Sequence, residues 1–368
     1  MGAPYRGVAG ILGIGVPATA ITSYGTSINA SNVFHVDGFG EANTATTFDR
    51  RVLAAGSEEG LGMSALEGNK TVSFSGPVCD ISFPILWALA LGTDTISTIA
   101  ASTGRQHLCT PVAADAELPQ CSLYFKQTAV ADTSNVGSIR YDGCVLDSLT
   151  LTGSAGGIWT YNATFCTSGV GAAITTTMAS LTAPNVLPFR FGSTQFSISS
   201  TTPTAVSMDP GTDATAQSGG TGWTFTNLAT VLRGQTFSVN NNCQMIYTAG
   251  DTAGSATVTV RGARVTNVSS RFLMDNTAPV RTWVSAVGGS VLQHGLATRC
   301  VSGSAAGTSC NYGWQILIPK AQSASVEVDK TLGSREITIN HTVVDSNQSG
   351  IYTIYAAGWN VATAKYTP

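Results

Sequence analysis

Residues 141–169 read YDGCVLDSLTLTGSAGGIWTYNATFCTSG, and the fold is decided there. Two runs of alternating apolar and polar residues flank the glycine-rich GSAGG of residues 153–157, the pattern of one long β-hairpin. A turn centred on Ala155 sets Thr152 opposite Ile158, Ser148 opposite Asn162 and Cys144 opposite Cys166. Side chains alternate across a strand, so Val145, Leu149, Leu151, Trp159, Tyr161 and Phe165 form one dry face, with Asp147 as its polar exception. Ser148, Thr150, Thr152, Thr160, Asn162 and Thr164 form a wet, uncharged face, with Leu146 and Ile158 as its apolar exceptions. Each arm spans roughly 30 Å at ~3.3 Å per residue, far longer than an average strand. A lone ribbon of this kind is at best marginal in water, so it needs a larger sheet or barrel, from its own chain or from copies of it.

Working outward, the 368 residues allow one large all-β domain or two smaller ones. Charged residues are 11% of the chain, less than half the usual share of about 25%. Little charge among abundant Gly, Ser, Thr and Ala suits a protein whose surface lies mostly against other subunits, a look that secreted β-proteins share. Net charge is −3 and the basic residues are scattered, which argues against a nucleic-acid grip. No uninterrupted apolar stretch reaches membrane-spanning length, so no membrane partner is expected. Arg6 and the apolar run 8–16 imitate a signal peptide poorly, because three glycines interrupt the run.

The eight cysteines include no CxxC, which argues against a zinc ribbon or a thioredoxin-like site. Cys144 with Cys166, Cys109 with Cys121, and Cys300 with Cys310 are spaced as possible disulfides; buried free thiols are the alternative.

Residues 1–68, with short apolar runs at 10–16 and 33–36, read as an N-terminal strand or arm followed by a long irregular loop, making inter-subunit contacts. A first β-sandwich unit follows over 69–200 and contains the helix 81–91 (ISFPILWALAL), with Asp80 as N-cap and Gly92 as its stop. Residues 201–368 hold a second unit, whose hairpin 257–287 repeats the theme of a glycine, a Ser/Thr-rich strand and a Trp-bearing return strand. Strands near 334–344 and 350–357 are expected to pair as a closing hairpin.

Catalytic signatures are missing. The four histidines are far apart, and no GxSxG elbow, phosphate loop, HExxH or calcium loop is present. The expectation is a protein that is not an enzyme and takes no cofactor and no metal.

Several segments stand in a familiar order: GVAGILGIG at residues 7–15, ALALG at 88–92, YDGCVLDSLTLTGSAGGIWTYNATF at 141–165 and RVTNVSSRFLMDN at 264–276. In these the chain resembles the tail tube, or major tail, proteins of long-tailed bacteriophages. The resemblance implies a β-sandwich flanked by a helix, with copies closing into trimeric or hexameric rings that stack into a hollow tube in the virion. Long hairpins would join into an inner oligomeric β-barrel. Its lining would be Ser148, Thr150, Thr152, Thr160, Asn162 and Thr164, joined by Asn267, Ser269 and Arg271 of the second unit. DNA and the tape-measure protein would pass through this lumen without specific binding, and tail terminator and tip proteins would meet the tube ends. A competing expectation is a secreted or surface β-sandwich, such as an adhesin, a pilus-like protein or a carbohydrate-binding module.

Overall fold

A computed structural model describes residues 10–17, 28–44, 48–50, 63–65, 69–99, 103–126, 139–167, 169–171, 188–208, 220–246, 258–274, 293–307, 310–329, 335–346 and 348–368. These residues are mostly strand, with one α-helix. Eighteen of the described strands belong to a single hydrogen-bonded network in which every pairing is antiparallel.

The network divides naturally into three sheets. The front sheet runs Gly38–Thr44, Asn69–Pro77, Thr160–Thr167, the second half of Ile139–Ser154, Leu232–Asn240, Val265–Leu273, Glu336–Val343 and the second half of Cys310–Asp329. The back sheet runs Thr95–Thr98, Arg105–Cys109, Tyr355–Asn360, the first half of Cys310–Asp329, Gln293–Gly307, Thr194–Ser199 and Phe225–Asn227. The third runs Asn32–Val36, Gly10–Gly15, Cys121–Lys126, the first half of Ile139–Ser154 and Gly169–Gly171.

Two strands therefore change sheets along their length. Ile139–Ser154 does so where its pairing slips between Tyr141 and Cys144, and Gly143 supplies the positive φ of 60° that the bend requires. Front and back sheets face each other through aromatic contacts: Trp159 meets Trp314 edge-on at 5.0 Å, and Phe196 meets Phe272 at 5.5 Å. One core cluster draws on all three sheets and the helix.

The helix is Ser82–Leu91, and all ten of its residues are buried. A helix that is apolar on every side belongs inside a layered core, and Phe83 stacks on the back sheet's Trp314 at 4.9 Å. Trp87 and Leu86 lie in the core. The start differs. Asp80 makes no capping bond, and the Ser82 hydroxyl accepts the Cys79 N–H at 2.8 Å instead. Gly92 is the stop, left-handed at φ 104°, its N–H bonded to the Ala88 carbonyl.

The hairpin is present, but its register is two residues from the expected one: Thr152 faces Thr160, Thr150 faces Asn162 and Ser148 faces Thr164. The turn is tightened at Ser154–Gly157, where Gly156 has φ 83° and the Gly157 N–H bonds the Ser154 carbonyl. Trp159 then leaves its sister arm to bond the Phe189 carbonyl, and Ile158 bridges to Arg190. An even shift preserves the faces.

A bulge at Asp147 alters them further down. Leu146 comes opposite Phe165 inside the core, whereas Val145, although buried, lies opposite Cys166 on the other side from Leu149. Both misplaced residues are thereby explained. Asp147 is the extra residue, its carboxylate accepting the Cys243 N–H and its carbonyl the Asn241 N–H, each at 2.7 Å.

Other expectations are corrected. All eight cysteines are free thiols, so the pairings Cys144–Cys166, Cys109–Cys121 and Cys300–Cys310 are not formed. The register places Cys144 across from Cys121. Gly10–Gly15 is a strand, as the N-terminal strand or arm allowed, but Asn32–Val36 and Gly38–Thr44 of the supposed irregular loop are strands too. The last two strands do not form a hairpin, because Glu336–Val343 lies in the front sheet and Tyr355–Asn360 in the back one. The return arm of hairpin 257–287, with Trp283, lies outside the described residues. Sequence halves 69–200 and 201–368 interleave: Leu232–Asn240 pairs with the hairpin, and Tyr355–Asn360 pairs with Arg105–Cys109.

Candidate functional site

The front sheet has one dry side and one wet side, and alternation along each strand decides which residues go where. Leu149, Leu151, Trp159, Tyr161 and Phe165 point into the core, all at most 2% exposed. The opposite side carries Ser148, Thr150, Thr152, Thr160, Asn162 and Thr164. Thr152, Thr160 and Asn162 are exposed, and Ser148, Thr150 and Thr164 are half-buried by their neighbours.

The pairings extend this wet side in both directions. Asn162 and Thr164 stand opposite Ser75 and Ser73, which stand opposite Gly38 and Gly40. On the other flank Thr150 faces Ser238, Ser238 faces Asn267, and Asn267 faces Thr342. Asn267, Ser269 and Arg271 therefore lie on the same face of the same sheet as the hairpin residues. All nine residues singled out in the sequence are brought together.

Small polar side chains dominate this face. Hydroxyls and amides meet across strands, as Ser73 with Thr164 (3.1 Å), Thr152 with Thr236 (3.5 Å), Thr342 with Asn267 (3.2 Å) and Asn340 with Ser325 (2.8 Å). Such cross-strand pairs hold the side chains in place and leave their remaining lone pairs to water. Charge gathers towards one corner, where Glu336 accepts from Arg271 (3.3 Å) and Arg233 (3.6 Å) and where Glu327 and Asp329, opposite Thr338 and Glu336, are exposed. Val265 and Leu273 are exposed apolar residues on the same face. At ~4.8 Å per strand, eight strands make a wall roughly 35 Å wide.

Sequence reading missed the contributions of Ser73, Ser75, Ser238, Asn340 and Thr342. The signal was there, since residues 71–76, 235–240 and 336–343 each alternate small polar with apolar residues.

Away from this face, a buried pair holds the chain's final segment. His107 Nδ1 is 2.9 Å from Asp94 Oδ2, its Nε2 is 3.2 Å from the Ala362 carbonyl, and its ring stacks on Tyr366 at 4.4 Å. The Tyr366 N–H bonds the same carboxylate oxygen at 2.8 Å. Among the described residues no three His, Cys, Asp or Glu side chains are grouped to hold a metal ion, and no helix is long and apolar enough to cross a membrane. Neither a scan of protein-family models nor a search of curated proteins finds a match to this chain.

Proposed function

We propose that the chain is a structural virion protein, the tail tube protein of a long-tailed bacteriophage, and that the wet side of its front sheet lines the tube. The observation carrying this reading is that face itself, an eight-stranded wall dominated by Ser, Thr, Asn and Gly, its charges (Arg233, Arg271, Glu327, Asp329 and Glu336) confined to the corner at one end of the last strands. A conduit for DNA favours such a lining, because basic groups would bind phosphates and hold the polymer in place, while acidic groups would repel it. Hydroxyls and amides keep a water film against which DNA and the tape-measure protein can slide.

The sheet's ends support the same reading. Among the described residues Gly38–Thr44 and the second half of Cys310–Asp329 each have one unpaired edge. Exposed edges are templates for another copy, and joining them around an axis closes a barrel with no edge left. The front and back sheets would then form a β-sandwich with the helix between them, the back sheet on the outside of the tube. Three copies supply roughly 24 strands, which at ~4.8 Å spacing and ~40° tilt make a barrel about 48 Å across at the backbone. Side chains narrow that to a bore suited to duplex DNA, whereas six copies would double the diameter. A ring of three is the better fit. Tail terminator and tip proteins would cap the stack, and neither cofactor nor membrane enters the mechanism.

Negative-stain microscopy and mass photometry of the purified protein test this directly. Rings or tubes with a mass of three subunits per ring are expected. A protein that remains monomeric at every concentration would overturn the reading.

A further inference from the structure

At the end of the front sheet away from the hairpin turn, a cavity of about 570 Å³ opens beside the helix C-terminus. Two arginines line it, Arg261 and Arg264, together with Thr266 and Thr353. Both guanidiniums are fixed, and only by neutral acceptors. Arg264 donates from Nε to Asn241 Oδ1 (2.8 Å) and from Nη2 to the Leu91 carbonyl (3.1 Å). Arg261 donates from Nη2 to the carbonyls of Ala113 (2.6 Å) and Ala114 (2.9 Å).

The backing of this pair is rigid. Asn241 is fully buried and its amide donates to the Ala90 and Leu146 carbonyls, while Asn242 ties down the Ala263 carbonyl at 2.6 Å. Among the described residues neither arginine forms an ion pair. Asp115 and Glu117, on the loop that Arg261 touches, bond to neither. Burial first, and then the charge of Arg261, pull the Arg264 guanidinium down to about 10. The negative end of the helix dipole at Leu91 offsets only part of one positive charge. Each guanidinium has five N–H donors, so several on each remain for an acceptor in the cavity.

We infer that this cavity is an oxyanion site, in which Arg261 and Arg264 together hold a phosphate or carboxylate group. Two fixed forks around one concave space suit the paired oxygens of either group, and the bound charge relieves the repulsion between the arginines. The site does not depend on the tube reading. Its occupant is either free phosphate or a carboxylate of a second copy of this chain.

The test uses the full chain in sodium phosphate and in sodium chloride at matched ionic strength. For a free-phosphate site, the wild-type melting temperature rises with phosphate beyond the chloride control, and Arg261→Gln weakens the apparent affinity at least tenfold. For a carboxylate of a second copy, phosphate has no specific thermal effect but Arg261→Gln lowers self-association measured by sedimentation. Arg261 holds only loop carbonyls, so its replacement is expected to fold; circular dichroism checks this. As a measurement needing no variant, phosphate or self-association is expected to protect the Arg261 peptide from phenylglyoxal. A wild-type protein indifferent to phosphate, with Arg261 equally reactive at all protein concentrations, overturns the inference.

Discussion

Seven of the eight cysteines are buried and Cys243 is half-buried. Burial pushes the thiols up, Cys144 and Cys166 to about 12 and Cys109 and Cys121 well above their ordinary value, so thiolate is scarce at neutral pH. Ellman's reagent is therefore expected to find almost no reactive thiol in the native protein and all eight after denaturation. If an oxidant does force a bridge, peptide mapping should join Cys121 to Cys144, which face each other across the ladder, and not Cys144 to Cys166.

His341 gives a second residue-scale expectation. It is buried, and burial followed by its neighbour His294 pulls its imidazole down to about 3. The folded state therefore binds fewer protons than the unfolded one below the ordinary histidine value near 6.5, and stability is lost as pH falls from there towards 3. At pH 5 the loss is about 2 kcal/mol, seen as a lower urea midpoint, and His341→Phe should remove most of it. His341 alternates with Ile337, Ile339 and Val343, which marks a strand's core-facing side, but its neighbour His294 comes from another strand and left no local trace. Leu146 and Asp147 were different. Their apparent misplacement on strict alternation was itself the mark of a bulge, legible once two consecutive exceptions are read together.

The hairpin's two faces call for opposite outcomes from similar substitutions. Asn162→Arg places its charge in water and should leave the monomer's melting temperature nearly unchanged; under the proposed function it should also slow DNA exit from assembled particles. Phe165→Asp buries an unpaired charge and should prevent folding, read by circular dichroism. Gly153→Ala is also expected to destabilise, since a Cβ there would sit 2.5 Å from Phe191 and 2.7 Å from Trp159. In the helix, Trp87→Ala should cost about 3–5 kcal/mol in chemical denaturation. Helix, hairpin and faces were legible because each follows from a local period. The register was not, because its two-residue shift arises where Trp159 turns from its own arm to the Phe189 carbonyl. Helix capping failed for a similar reason: Asp80 has the right residue type, but the Cys79 sulfur accepts the Ser82 N–H while the Ser82 hydroxyl accepts the Cys79 N–H in return.

Across the whole molecule, the sequence conveyed strands but not neighbours. Nothing local in residues 355–360 says that they belong beside residues 105–109, and the expected closing hairpin failed on that point. The convergence of Asn267, Ser269 and Arg271 with the hairpin's wet face came from reading both segments as the same kind of strand. What the sequence could not supply was the place of the Leu232–Asn240 strand, between the two segments it joins into one wall.

That distant pairing governs how the protein is made. His107 and Ala362, 255 positions apart, are bonded to each other, and Tyr355–Asn360 fills the gap between Arg105–Cys109 and Cys310–Asp329. A chain still on the ribosome holds its back sheet open until this strand emerges, so a growing chain cannot complete the subunit early. Deleting residues 355–368 should leave a chain that binds chaperones, and a synthetic peptide of that segment, added in trans, should restore its cooperative melting. Translation order thus acts as a timer on this fold, holding the back sheet incomplete until residues 355–360 have been made.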